Sequence, residues 1–189
     1  FMVIFFLLHR SGTTKGSSMK DFGKGMLFAV YLFGVFHFTG AGTIFNLNMY
    51  GLSLGNSQIN FVPFSNEIDL IGYFLNIILF VPFGFLLPYI WPKTGSIVRI
   101  LFSGIAFSLL IEFSQLFNNR RTDIDDLILN TIGALTGYIL FKLFVRITRC
   151  TKQPDDNGKG EPALYIFFTF LGHFLLFNEF GLVKVLLGF

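Results

Sequence analysis

The chain has 189 residues, of which 53% are hydrophobic and 13% are charged, with a formal net charge of +3. A soluble domain carries about 25% charged residues, so this composition excludes a water-soluble globular protein and indicates a membrane protein. The small positive charge is spread along the chain and forms no nucleic-acid-binding patch. The single cysteine, Cys150, excludes an intrachain disulfide and a zinc site built from cysteines.

Five apolar segments are long enough to cross a hydrocarbon core of ~30 Å, which takes about 20 helical residues. They predict an all-α polytopic membrane protein with a single transmembrane domain over residues 25–189. A leader, 1–24, precedes it with an apolar start and a basic remainder. The predicted spans cover residues 25–45, 70–90, 96–117, 126–145 and 163–187.

The lysines and arginines predict the orientation of these spans, because cytoplasmic loops of membrane proteins are enriched in them. The leader, the connection between spans two and three, and the segment after span four are basic, whereas residues 46–69 carry no lysine or arginine. We therefore expect a cytoplasmic leader and an extracytoplasmic C-terminus. The loop after span three then lies outside, although it carries Arg120 and Arg121, and Lys184 also falls outside.

Polar residues gather near the predicted outer ends of spans two, three and four. Glu112 lies about five residues, or ~8 Å, inside span three at 1.5 Å per residue, and Gln115 follows on the same face. Charged groups at membrane depth usually face a protein interior or a water-filled cavity. We therefore expect one pocket, open to the outer side, formed by Asn76, Glu112, Gln115, Arg120, Arg121, Asp123, Asp126 and Asn130.

Several of these features also have purely structural interpretations. Gly133 and Gly137 form a small-xxx-small pattern, which is typical of helix packing in membranes. Asp126 is a candidate N-cap of span four, and Glu112 is a candidate partner for an arginine in a structural ion pair. The acidic run at 123–126 lacks the glycine and the distal glutamate of a calcium loop, so we expect no metal site and no cofactor.

The motifs resemble those of the VanZ family. They begin with Asn-Phe-Val-Pro-Phe at 60–64 and Asn-Ile-Ile-Leu-Phe-Val-Pro-Phe-Gly at 76–84. Glu-x-x-Gln at 112–115, Thr-Asp-Ile-x-Asp at 122–126 and Asn-Thr-x-Gly-Ala-x-x-Gly at 130–137 follow in the expected order. The resemblance covers roughly residues 60–138. It implies a multi-pass protein of the bacterial cell membrane, linked to the cell envelope and to resistance to teicoplanin-type glycopeptides.

Two classes of function fit these residues. In one, the chain is a non-catalytic protein that binds or shields a lipid-linked cell-wall precursor or the acyl tail of a lipoglycopeptide at the outer leaflet, with membrane lipids as its other partners. In the other, it is an intramembrane enzyme that modifies a lipid-borne substrate. Glu112 and either Asp126 or Asp123 would then act as general acid and base. No nucleophile–histidine pair, phosphate loop or zinc motif is legible, which favours the binding protein.

Overall fold

The computed structural model describes residues 19–51, 59–65, 69–118, 120, 122–149 and 161–187. Within them the chain forms six α-helices and two strands of two residues each, β1 and β2, which pair in parallel. In chain order the elements are α1 (Met19–Thr39), α2 (Ile44–Tyr50), β1 (Ile59–Asn60), α3 (Leu70–Ile90), α4 (Ile97–Gln115), β2 (Thr122–Asp123), α5 (Ile124–Thr148) and α6 (Glu161–Leu187).

Four described segments are long and apolar enough to cross a membrane, and α6 contains a shorter apolar stretch, Pro162–Phe177. At 1.5 Å per residue, the 21 residues of α3 span about 32 Å, which matches a bilayer core. The protein is therefore an all-α, multi-pass membrane protein, as the sequence predicts. The orientation of its termini stays a prediction.

The first span differs from its predicted limits of 25–45, because α1 begins earlier and ends at Thr39. Gly40 has a φ of +66°, its N–H donates to the carbonyl of His37, and the N–H of Ala41 donates to the carbonyl of Phe36. These two bonds form a Schellman motif, which ends a helix at a left-handed residue. A capping box between Thr43 and Asn46 then starts α2.

Helices α3 and α5 cross at close range, and glycines make the contact possible. A Cβ added at Gly84 would overlap the backbone of Ala134. One added at Gly133 or Gly137 would overlap the carbonyl oxygen of Ile77 or Val81. The small residues therefore let the two backbones touch, which confirms the packing interpretation of the small-xxx-small pattern.

Aromatic side chains fill the space beneath this crossing. Phe36, Phe80, Phe83 and Phe107 are almost fully buried, and the rings of Phe83 and Phe107 stack with their centroids 4.9 Å apart. Further aromatic contacts tie α1 to α3 and α4. Helices α1, α3, α4 and α5 are thus held at fixed positions around one apolar core, and their ends are positioned accordingly.

The bundle has two distinct ends. At one of them, here called the Thr39 end, the C-termini of α1 and α4 meet the N-termini of α3 and α5, and Gln115 donates to the carbonyl of Thr39. At the other, the Trp91 end, Trp91 packs on Phe28, and Tyr138 donates to the carbonyl of Gly95. Six basic residues whose side chains the structure describes lie toward the Trp91 end: Lys24, Lys93, Arg99, Lys142, Arg146 and Arg149.

Candidate functional site

A cavity of about 100 Å³ opens at the Thr39 end of the bundle. It is named here the polar cavity, because most of the residues around it carry hydrogen-bonding side chains. A site for one ordered water needs only about 10–15 Å³ by the same measure, so the polar cavity has room for a small polar group. Its lining residues are Phe38, Thr39, Asn76, Ile111, Glu112, Gln115, Arg120, Asp126 and Asn130.

Helices α3 and α5 supply an amide–carboxylate pair to this cavity. The side-chain N–H of Asn76 donates to Oδ1 of Asp126 at 2.5 Å. Asp126 therefore does not cap α5, contrary to one interpretation of the sequence. The N-cap is Asp123, whose carboxylate accepts from the backbone N–H of Asp125 at 3.1 Å. Successive helical residues point about 100° apart, and the second and third residues after this cap, Asp125 and Asp126, face different surroundings.

Glu112 contributes the second carboxylate, from the last turn of α4. Its side chain is only 4% exposed, and its Oε2 accepts from the backbone N–H of Asp123 at 3.3 Å. Within the described residues it forms no ion pair with Arg120, whose guanidinium donates instead to the backbone carbonyl of Thr39. The interpretation of Glu112 as half of an Arg120 ion pair is therefore wrong, and Arg121 lies outside the described residues.

Gln115 extends from the last turn of α4 toward the end of α1. Its Nε2 donates to the carbonyl oxygen of Thr39 at 2.8 Å. Because a backbone carbonyl can only accept, this bond fixes which end of the amide is nitrogen. Its Oε1 is buried and has no hydrogen-bond partner among the described residues. Buried polar atoms are nearly always paired, so this acceptor has unused bonding capacity.

Asn130 adds a comparable group from α5. It is 2% exposed, and its Nδ2 donates to the hydroxyl oxygen of Ser108 at 3.0 Å. Its Oδ1 is also buried without a partner in the described part of the chain. Two residues of the lining, Gln115 and Asn130, thus hold amide acceptors that are unpaired among the described residues, and two others, Glu112 and Asp126, hold carboxylates.

Arg120 is the basic residue of the described lining, and it is exposed. One of its guanidinium nitrogens donates to Thr39 at 2.8 Å, at a carbonyl that the end of α1 leaves free. A Cβ at Gly40 would overlap this guanidinium. Gly40 therefore serves twice, because it ends α1 and leaves room for Arg120.

A loop of residues 59–65 is fastened beside the polar cavity by an aspartate that the sequence interpretation left out of the site. Asp125, which is 2% exposed, accepts from the backbone N–H of Phe64 and from the hydroxyl of Tyr73, each at 2.8 Å. Asn60 donates to the carboxylate of Asp123 on the adjacent strand. Asp123 and Asp125 therefore organise the loop and the start of α5, and neither lines the polar cavity.

The structure brings together six of the eight predicted site residues: Asn76, Glu112, Gln115, Arg120, Asp126 and Asn130. Sequence reasoning missed Phe38 and Thr39 of α1 and Ile111 of α4. The glycines at 40 and 42 were the available signal, since a helix that ends at a glycine leaves carbonyls free for other donors. The described residues contain no group of three or more histidine, cysteine, aspartate or glutamate side chains placed to hold a metal ion.

Comparisons with known proteins agree with the motifs. The sequence model of the VanZ/LLP1 family matches residues 2–145. Protein VanZ from Enterococcus faecium is 33% identical over 104 residues, which cover 53% of this chain and 64% of that protein. No solved structure matches. Because the family match covers most of the chain and takes in every residue of the polar cavity, this multi-pass membrane protein belongs to the VanZ/LLP1 family.

Proposed function

We propose that this protein lowers the susceptibility of a bacterium to teicoplanin-type lipoglycopeptides by binding or shielding a lipid-linked or lipid-tailed ligand at the polar cavity. The observation that carries the proposal is the set of buried hydrogen-bonding groups with unused capacity at one end of an apolar bundle. Gln115 and Asn130 each hold a buried acceptor without a partner in the described residues. Polar groups at membrane depth are costly, and they usually mark a functional site.

The position of the polar cavity suits such a ligand. It lies within a helical turn or two of the ends of α1, α3, α4 and α5, where headgroups of membrane lipids also lie. The basic residues at the Trp91 end support a cytoplasmic location for that end, and we therefore expect the polar cavity to lie in the outer leaflet. Lipid-linked wall precursors and the acyl tail of a lipoglycopeptide both reside there.

Drug susceptibility of cells that express the chain tests the proposal. We expect the wild-type protein to raise the inhibitory concentration of teicoplanin relative to a vector control, with a weaker effect on vancomycin, which lacks a lipid anchor. Glu112→Gln keeps the volume but removes the charge, so it should abolish most of the protection. The exposed cap residue Asp69, at the start of α3, offers a matched control, and Asp69→Asn should still protect.

Protein levels in the membrane are measured for each variant, so that loss of protection is separated from loss of protein. Equal protection by Glu112→Gln and wild type at equal levels would contradict a role for the polar cavity. No protection by the wild-type protein against either drug would overturn the proposed function itself.

A second candidate function rests on the meeting of Glu112 and Asp126 in one cavity. Two carboxylates in a site partly shielded from water are the elements of general acid–base catalysis. The protein would then modify a lipid-borne substrate, with Asp126 rather than Asp123 as the second group, because Asp123 caps α5.

Mass spectrometry of extracted lipids and lipid-linked precursors distinguishes the two functions. An enzyme produces a species that is present with the wild-type protein and absent with Glu112→Gln or Asp126→Asn. A binding protein leaves the lipid composition the same in all three strains.

A further inference from the structure

The polar cavity is rich in acceptors and poor in donors. Among the residues that line it, Gln115 and Asn130 each have a buried side-chain oxygen without a partner in the described residues, and Glu112 and Asp126 carry carboxylates. Each carboxylate receives one described hydrogen bond, from the backbone of Asp123 or from Asn76. A carboxylate offers about four acceptor sites, so both retain capacity.

The donor groups of the lining each make one described hydrogen bond already. The amide nitrogens of Asn76, Gln115 and Asn130 donate to Asp126, Thr39 and Ser108, respectively. Arg120 is exposed and donates to Thr39. The buried groups that lack a partner are acceptors, so a ligand that pairs with them brings N–H or O–H donors. A positive charge on that ligand adds attraction to the two carboxylates.

We propose that the polar cavity binds the protonated primary amine of an amphiphile. This inference rests on the proposed function, since it names the chemical group by which the lipid-borne ligand is held. An ammonium group is a compact point charge with three donors, which matches a small cavity with four acceptor groups. Amine-bearing phospholipids and amine-bearing lipid-tailed drugs share this chemistry.

Other headgroups fit the same groups less well. A phosphate brings acceptors and negative charge to Glu112 and Asp126, and in the described lining only Arg120 favours it. A trimethylammonium group has the charge but no N–H donor. A metal ion would find two carboxylates rather than a ligand cluster among the described residues.

Binding of short-chain lipids to the purified full chain in detergent micelles tests the inference. The probes are dioctanoyl phosphatidylethanolamine, phosphatidylcholine and phosphatidylglycerol, which differ in headgroup but not in tail. We expect the ethanolamine lipid to bind about tenfold more tightly than the choline lipid, because charge-assisted hydrogen bonds are lost on methylation. Octylamine should compete with the ethanolamine lipid, whereas octanol should not.

Two variants localise the effect. Asp126→Asn should bring the ratio of the two affinities close to one, and Asp69→Asn should leave it unchanged. Thermal unfolding of each variant reports whether it is folded, and if Asp126→Asn is not, the headgroup series on the wild-type protein decides alone. Equal affinity for the ethanolamine and choline lipids, or tightest binding of the glycerol lipid, would overturn the inference.

Failure of this inference and failure of the proposed function would give different experimental results. Protection from teicoplanin without any preference for a primary amine leaves the function standing and removes the inference. A clear amine preference without protection supports the inference and removes the proposed role in drug susceptibility.

Discussion

The crossing of α3 with α5 and the polar cavity share these two helices, yet the crossing is closely packed whereas the polar cavity leaves polar atoms unpaired. At the crossing, backbone meets backbone at Gly84, Gly133 and Gly137, and no space remains for even a methyl group. In the polar cavity, buried oxygens of Gln115 and Asn130 have no partner among the described residues. Complete packing indicates a structural role, and unused bonding capacity indicates a place for a ligand. Substitutions at the two regions should therefore separate stability from activity.

The largest loss of stability is expected at the crossing. Gly84→Ala forces a Cβ into the backbone of Ala134, and overpacking of this kind costs about 3 kcal/mol in the free energy of unfolding. Gly34→Ala, in the middle of α1, is the matched control, since a Cβ there meets nothing within 4 Å. Alanine is the better helix former by about 1 kcal/mol, so the control should be neutral or stabilising. Unfolding in detergent measures both, and equal effects would contradict the close crossing.

A smaller loss of stability is expected at Gly40, which ends α1 and lies against Arg120 of the polar cavity. Gly40→Ala places a side chain in a left-handed conformation, which costs roughly 1–2 kcal/mol, and it pushes against Arg120. In an Arg120→Ala background the clash with the guanidinium disappears. The double mutant should therefore be more stable than the sum of the two single effects predicts. Strict additivity in unfolding measurements would show that Gly40 and Arg120 are independent.

The hydrogen bonds that hold the loop at 59–65 should contribute still less to the free energy of unfolding. Tyr73→Phe removes the hydroxyl that donates to Asp125, at a net cost of about 1 kcal/mol. Tyr50→Phe, at an exposed tyrosine at the end of α2, should change the free energy of unfolding by almost nothing. If both variants unfold alike, the bond between Tyr73 and Asp125 does not hold the loop.

The smallest effect on stability is expected inside the polar cavity. Glu112→Gln should leave the free energy of unfolding within about 1 kcal/mol of the wild type or raise it, because an amide is cheaper to bury than a carboxylate. Together with a loss of drug protection, such a small change in stability would show that Glu112 contributes to function rather than to folding. A large destabilisation would instead assign it to the structure.

The helices were the predictable part of this fold, because long apolar segments between basic and polar loops leave a membrane protein few other options. Helix α3 begins and ends where the sequence predicts, at Leu70 and Ile90. The end of α1 before Gly40 was not predicted, because the mostly apolar segment continues to Phe45. Hydrophobicity alone does not distinguish a glycine in a left-handed conformation from one in a helix. The turn after α1 also depends on residues that are far away in the sequence, because Arg120 lies against Gly40 and the carbonyl of Ser114 accepts from the N–H of Gly42.

The polar cavity was predictable in outline, because helix periodicity and depth place Glu112, Gln115, Asp126 and Asn130 at one level. The roles of the individual side chains could not be predicted. Three aspartates in four residues have similar chemistry, and only the start of α5 decides that Asp123 caps the helix, Asp125 holds the loop and Asp126 faces the cavity. The contribution of Thr39 was also hidden, because its backbone carbonyl rather than its side chain accepts from Gln115 and Arg120.

The proposed function depends most directly on the side of the membrane that the polar cavity faces. In a chain with Cys150 replaced by serine, single cysteines at Phe61 and Thr148 mark the two ends, and both positions are exposed. A membrane-impermeant maleimide applied to intact cells should label Phe61→Cys, and it should label Thr148→Cys only after the membrane is permeabilised. Labelling of Thr148→Cys but not Phe61→Cys in intact cells would put the polar cavity on the cytoplasmic side and contradict its role toward ligands of the outer leaflet.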